Sequence, residues 1–367
     1  MPIGTILSPS LVQIAGRPAA LARDGRQRRA SGATGLPSRK ARSMTSTVKY
    51  PPALEPGTQA FVDSLADAPP IYTLTPTDAR AVLTSVQRSV DVRLLPVDSS
   101  DRELPVGPTG RISIRVVRPS GATGALPAIV YIHGGGWVLN DEETHDRFVR
   151  ELAVGADAVL IFVDYERSPE ARFPVAIEQA YAVADYVARN AVEFGADASR
   201  IAIAGDSVGG NMATAVALMA KERKGPTLLA QLLFYPVTDA SMSTQSYRDF
   251  ADGPWLTAKA MAWFWDQYLP DPAKRADIHA SPLNASIEQL QGLPQTLLIV
   301  DENDVLRDEG EVYGRKLADA GVHVTSLRYN GTIHDFMVLN TIAKTPAVRG
   351  AVAQAADYLR TVFAAQK

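Results

Sequence analysis

The chain has 367 residues, 46% of them hydrophobic, which is ample for one large α/β domain with an accessory element. A net charge of -3 makes no case for nucleic acid, and the absence of cysteine excludes disulfides, a thiol nucleophile and a thiolate metal site while remaining compatible with a reducing cytoplasm. No apolar run approaches the ~18 residues that span a bilayer, and neither H-E-x-x-H nor any other ligand spacing occurs among the histidines and acids, so no metal is expected.

The first 43 residues stand apart. Eight cations from Arg17 to Arg42 face only Asp24, so this stretch carries +7 and the rest of the chain -10. It reads best as basic sequence ahead of a start at Met44; a transit peptide, a disordered tail and an anion-binding arm are the alternatives. Location follows that choice: cytoplasmic on the first reading, an organelle on the second. Arg28-Arg29 lacks the apolar stretch that a twin-arginine export signal needs.

Helical patterns then lie within Gly57 to Arg88. Strands are predicted near Val90–Pro96 and Arg111–Arg118, joined through Gly107-Pro108-Thr109-Gly110 as an antiparallel pair. Further strands near 128–133, 159–164, 201–205, 230–235, 296–300 and 323–329 alternate with helical patterns, which specifies a mostly parallel eight-stranded sheet with helices on both faces. Two stretches, Lys49 to Ser89 and Asp239 to Ala280, fall outside the alternation. No internal repeat is evident.

Three motifs carry chemistry. Gly205-Asp206-Ser207-Val208-Gly209 lies between an apolar strand and a helix. Glycine on both sides relieves the close approach of strand and helix, and Ser207 is lifted to the apex of a strained turn beside the helix N-terminus. His133-Gly134-Gly135-Gly136-Trp137 follows the run Ala128 to Ile132, and three glycines let backbone N–H groups converge on one atom. After Thr296–Val300 comes Asp301-Glu302-Asn303-Asp304, and after Val322–Tyr329 comes Asn330-Gly331-Thr332-Ile333-His334, so acid and base are expected on loops at the shared C-terminal edge of a parallel sheet. The order serine, acid, histidine is that of an α/β-hydrolase.

Among five histidines, His145 falls in a predicted helix (Glu142 to Gly155), His279 in a polar loop, His323 at the start of a strand and His133 in the glycine loop. That leaves His334 as the base. Physical reasoning alone leaves Asp301, Glu302 and Asp304 open as the acid.

His133 to Trp137, Gly205 to Gly210, Asp304-Val305-Leu306-Arg307-Asp308-Glu309-Gly310 and His334-Asp335-Phe336 together resemble the hormone-sensitive-lipase family, the bacterial family IV esterases. Asp164-Tyr165-Glu166-Arg167-Ser168-Pro169-Glu170 and Trp263-Phe264-Trp265-Asp266 resemble family segments as well, and the similarity runs from about residue 50 to the C-terminus. The resemblance implies the α/β-hydrolase fold with a helical cap: cap segments at 44–89 and 239–280, and the core at 90–238 and 281–367. It places the acid at Asp304, the base at His334, and the oxyanion donors at the backbone N–H groups of Gly135, Gly136 and Val208. It departs from the family where Val208 replaces alanine, Val305 proline and Asp335 glycine, and Val208 is expected to narrow the floor of the site.

The implied activity is a serine carboxylesterase acting on short-chain acyl esters through an acyl-enzyme, with no cofactor. A small-molecule ester is the expected partner, and assembly as a homo-oligomer is left open. Hydrolysis of an amide, N-acetyl group or lactone is the alternative, and a non-catalytic ligand receptor on the same fold a lesser one. On a helix from Thr257 to Leu269, Met261, Phe264, Trp265, Tyr268 and Leu269 share one face and are expected to pack in the core. Trp263 projects from the other side and is expected to be packing rather than pocket wall.

Overall fold

The computed structural model describes residues 53–66 and 68–366; the readings placed on residues 1–43, and on a start at Met44, lie outside them. Eight strands form one sheet: β1 Val97–Leu104, β2 Ile112–Pro119, β3 Leu126–Ile132, β4 Val159–Asp164, β5 Ala196–Asp206, β6 Ala230–Phe234, β7 Gln295–Asn303 and β8 Val324–Ile333. Their spatial order is β1-β2-β4-β3-β5-β6-β7-β8, with the pairs β1/β2 and β2/β4 antiparallel and the rest parallel. The helices are α1 Pro56–Ser64, α2 Pro76–Arg88, α3 Glu142–Ala156, α4 Val175–Arg189, α5 Val208–Arg223, α6 Gln245–Asp249, α7 Ala258–Tyr268, α8 Ile287–Leu290, α9 Arg307–Asp319 and α10 Pro346–Ala364.

Every residue of β3 is buried, because a central parallel strand is covered on both faces. Alternate residues feed two cores. Ala128, Val130 and Ile132 join the layer containing α4, α5 and α9, whereas Ile129 and Tyr131 join the layer containing α3 and α10.

Two sequence expectations are corrected. The first strand is Val97–Leu104, not Val90–Pro96. Register is set by the turn: Gly107 and Gly110 both take positive φ, Gly110 N–H donates to Gly107 C=O, and pairing counts back from Leu104↔Ile112 to Val97↔Pro119. That edge strand is mostly exposed and therefore polar, so apolar alternation pointed to the wrong segment. Second, β7 runs on to Asn303 and β8 to Ile333. Asp301 and Glu302 are consequently strand residues, and only Asp304 and His334 come off the strand ends.

The two stretches outside the alternation contribute α1 and α2, then α6 and α7. Thr75 caps α2 by accepting from Asp78 N–H at 3.2 Å, and Thr257 caps α7 by accepting from Ala260 N–H at 3.0 Å. The turn Ile71–Thr73 lies against α7. Arg80 of α2 ties the first stretch to the sheet domain, donating to Val138 C=O at 2.7 Å, to Ser168 C=O at 3.0 Å and to both Glu170 carboxylate oxygens at 2.9 and 2.7 Å.

Candidate active site

Ser207 connects β5 to α5 with φ 54° and ψ -121°, a conformation an L-residue adopts only when its surroundings enforce it. The enforcement is steric and hydrogen-bonded. A Cβ on Gly205 would lie 2.3 Å from the Gly209 carbonyl carbon, and one on Gly209 would lie 2.0 Å from Ile132 O. Ser207 N–H donates to Phe234 C=O at 2.8 Å, and Val237 N–H donates to Ser207 C=O at 3.2 Å.

Ser207 Oγ lies 2.8 Å from His334 Nε2, and His334 Nδ1 lies 2.7 Å from Asp304 Oδ2. A carboxylate can only accept, so Nδ1 carries a proton, and in the neutral ring Nε2 is free to accept from the serine hydroxyl. Asp304 Oδ1 takes Leu306 N–H at 3.0 Å, which fixes the carboxylate plane. Burial draws the His334 pKa down, but the Asp304 and Asp335 carboxylates outweigh it and the ring is pushed up to about 9.

The other two acid candidates are placed differently. Asp301 is fully buried in β7, and burial together with the nearby Asp304 charge holds its pKa well above the carboxylate range, so it is a neutral acid. Glu302 Oε2 accepts from Gly331 N–H at 2.7 Å and braces the segment that leads to His334.

In the glycine loop, Gly135, Gly136 and Trp137 take φ of 101°, 62° and 61°. Among the described residues, no protein acceptor takes the Gly135 or Gly136 N–H. Val208 is the first residue of α5, so its N–H is likewise unclaimed by the helix ladder.

A buried polar cluster that the sequence did not reveal holds this loop. Asp206 Oδ1 accepts from Tyr131 OH at 2.5 Å and Gly134 N–H at 3.0 Å, while Asp206 Oδ2 faces His145 Nε2 at 3.3 Å. Burial raises the Asp206 pKa, but His145 and the hydrogen bonds prevail and leave it lowered. His133 stacks between Tyr165 and Phe162 at 4.2 and 5.3 Å, and burial, aided by His145, pushes its pKa down to about 3, so it is neutral. His145 is thus helical, as expected, but points beneath the serine turn; His279 pairs with Glu222 at 3.0 Å on the surface.

Above Ser207 and His334 opens a cavity of about 320 Å³. Leu65, Ile71, Tyr72, Val82 and Val86 of the first stretch line it together with Trp255, Met261 and Phe264 of the second, and Gly135, Gly136 and Asp335 complete the lining. Met261 and Phe264 are therefore both buried and cavity-lining, beyond the core role expected of them. Trp263 does not line the cavity; it is half-buried, with its ring 5.1 Å from Phe264. Nor does Val208, whose side chain is fully buried in the core, so the expectation that it narrows the floor is corrected.

Residues 129–338 match a family described by the alpha/beta hydrolase fold. The carboxylic ester hydrolase LipN of Mycobacterium tuberculosis is 41% identical over 268 residues, covering 71% of this chain and 70% of that one. An ethyl acetate hydrolase of Pseudomonas putida is 36% identical over 66% of this chain and 77% of its own. The crystal structure of a thermostable esterase from Pseudomonas putida superposes with a TM-score of 0.83 at 51% identity, covering 85% of this chain and 98% of that one.

Proposed function

We propose, for a chain that belongs to the alpha/beta hydrolase family and is a carboxylic ester hydrolase, that Ser207 is the nucleophile, His334 the base and Asp304 the carboxylate that orients it. The observation that carries this reading is the relay from Ser207 Oγ to His334 Nε2 at 2.8 Å and from His334 Nδ1 to Asp304 Oδ2 at 2.7 Å, on the floor of an apolar cavity. Neutral His334 takes the serine proton as Oγ attacks the acyl carbon. The carbonyl oxygen gains charge, which the N–H groups of Gly135, Gly136 and Val208 receive. Imidazolium Nε2–H then protonates the leaving alcohol, and water repeats the cycle on the acyl-enzyme. No cofactor enters this scheme.

Of the cap segments expected at 44–89 and 239–280, the described residues, 53–66, 68–89 and 239–280, act as the cap over a core of 90–238 and 281–366, and both segments supply cavity wall. The substrates are small, uncharged esters with short acyl chains, a reading supported by the cavity volume and by similarity to an ethyl acetate hydrolase. For location we propose the cytoplasm, with which a cysteine-free chain is compatible. No helix among the described residues is long and apolar enough to cross a membrane.

The test is a nitrophenyl ester series from acetate to palmitate, run beside the matching anilides. Esters of about two to six acyl carbons are expected to give the highest kcat/KM, with a gradual decline beyond, since each methylene in an apolar pocket changes binding by only about 1–3 kcal/mol. A maximum at palmitate, or anilides cleaved as fast as esters, overturns the assignment. Met261→Ala, at a cavity-lining position, is expected to move the optimum to longer chains. Val208→Ala and Trp263→Ala are expected to leave it in place, because neither side chain reaches the cavity.

A further inference from the structure

Asp335 follows the base in sequence and takes φ 65°, a backbone region that favours glycine and resists a side chain. Its carboxylate is nevertheless held in one place: Oδ2 accepts from Trp255 Nε1 at 3.1 Å. Oδ1 lies 3.5 Å from His334 Nε2, is shielded from solvent, and has no hydrogen-bond partner among the described residues. Among the described residues, a proton carried on that nitrogen is positioned to reach it.

The His334 ring is faced by Asp304 on its Nδ1 side, with buried Asp301 beside Asp304, by Asp335 and Ser207 on its Nε2 side, by Asp206 beneath, and by the Tyr235 ring edge-on at 5.1 Å. When Nε2 is bare it accepts from Ser207. When it is protonated it becomes a donor with two acceptors in range, the neutral serine oxygen and a desolvated carboxylate oxygen, and the charged acceptor makes the stronger bond.

We propose that Asp335 is a positioning residue that competes with Ser207 for the Nε2 proton, drawing protonated His334 toward Oδ1 and holding the base at rest until that proton passes to bulk solvent. This rests on the reading of His334 as the base. Burial pushes the Asp335 carboxyl up while His334 pulls it back, and Asp335 stands after Asp304 among the groups that raise the ring. The active form is neutral imidazole, so a raised pKa places the acid limb of the rate at higher pH.

The measurement is the second-order rate of phosphorylation of Ser207 by diethyl nitrophenyl phosphate across the pH range, which reports on the free enzyme without ester specificity. Asp335→Asn is expected to lower the midpoint of the acid limb by about one unit or more, hence about tenfold faster reaction below the wild-type midpoint. The alkaline plateau should change less. Trp255→Phe keeps the carboxylate but frees its Oδ2, and is expected to shift the midpoint the same way by a smaller amount. A midpoint unchanged in Asp335→Asn, or unchanged in Trp255→Phe should the first variant fail to fold, overturns the proposal. His334→Ala separates the two readings: if it still reacts at the wild-type rate the base is misassigned, whereas an inert His334→Ala beside an unmoved Asp335→Asn removes only the role given to Asp335.

Discussion

Ser207→Ala is expected to lower kcat by about 10⁵ to 10⁶-fold, to a residual rate that the oxyanion donors and the cavity alone sustain. The change removes Oγ and nothing else. The strained backbone at φ 54° is held by Gly205, Gly209 and the Phe234 and Val237 bonds, all of which remain, and alanine fills the space of the serine Cβ. The thermal unfolding midpoint should therefore stay within the scatter of a surface change. Mass spectrometry after organophosphate treatment should show no adduct. Retained hydrolysis in a folded Ser207→Ala protein would place the nucleophile elsewhere.

Asp304→Asn is expected to cost about 10⁴-fold in kcat. An asparagine amide can offer N–H to His334 Nδ1, which stabilises the tautomer protonated at Nε2 and leaves no lone pair for the serine proton. Asp301→Asn should be far milder although Asp301 is equally buried, because burial beside Asp304 already keeps that acid neutral, and the amide is neutral and nearly the same shape. Glu302→Gln weakens one bond to Gly331 N–H and should also be mild. Steady-state kinetics of the three variants decides the matter; a reversed ranking makes another carboxylate the orienting acid.

How far these assignments could be reached from sequence depends on how local the cause is. The serine turn is specified within five residues, since glycines at 205 and 209 relieve contacts made by that same turn and by β3. The acid was not decided locally, because the end of β7 depends on pairing with β8, which carries Asp301 into the sheet and leaves Asp304 at its edge. Asp206 and His145 are 61 residues apart, and only the approach of α3 to the end of β5 joins them. Periodicity identified the buried face of α7 but not what it is buried against, so Met261 and Phe264 read as core. The edge strand was misplaced for the opposite reason: its register comes from a turn, and its exposure erased the apolar alternation used to find it.

Helix α7 has two employments at once. Met261 and Phe264 line the cavity above Ser207, while the Phe264 ring occupies the position where a Gly136 side chain would begin, 2.1 Å from its ideal Cβ. Trp137, next in the same loop, stacks on Tyr268 at 4.1 Å and contacts Trp265 at 4.7 Å. On the proposed assignment of the Gly135 and Gly136 N–H groups to the oxyanion, a shift of the helix backbone that admits a bulkier ester also disturbs the loop that carries those amides, so substrate range and turnover are coupled through it. Diversification under selection is steered to the lining residues Ile71, Tyr72, Val82 and Val86, contributed by a different segment of the chain. A library confined to those four positions should yield altered specificity with retained kcat more often than one built on α7.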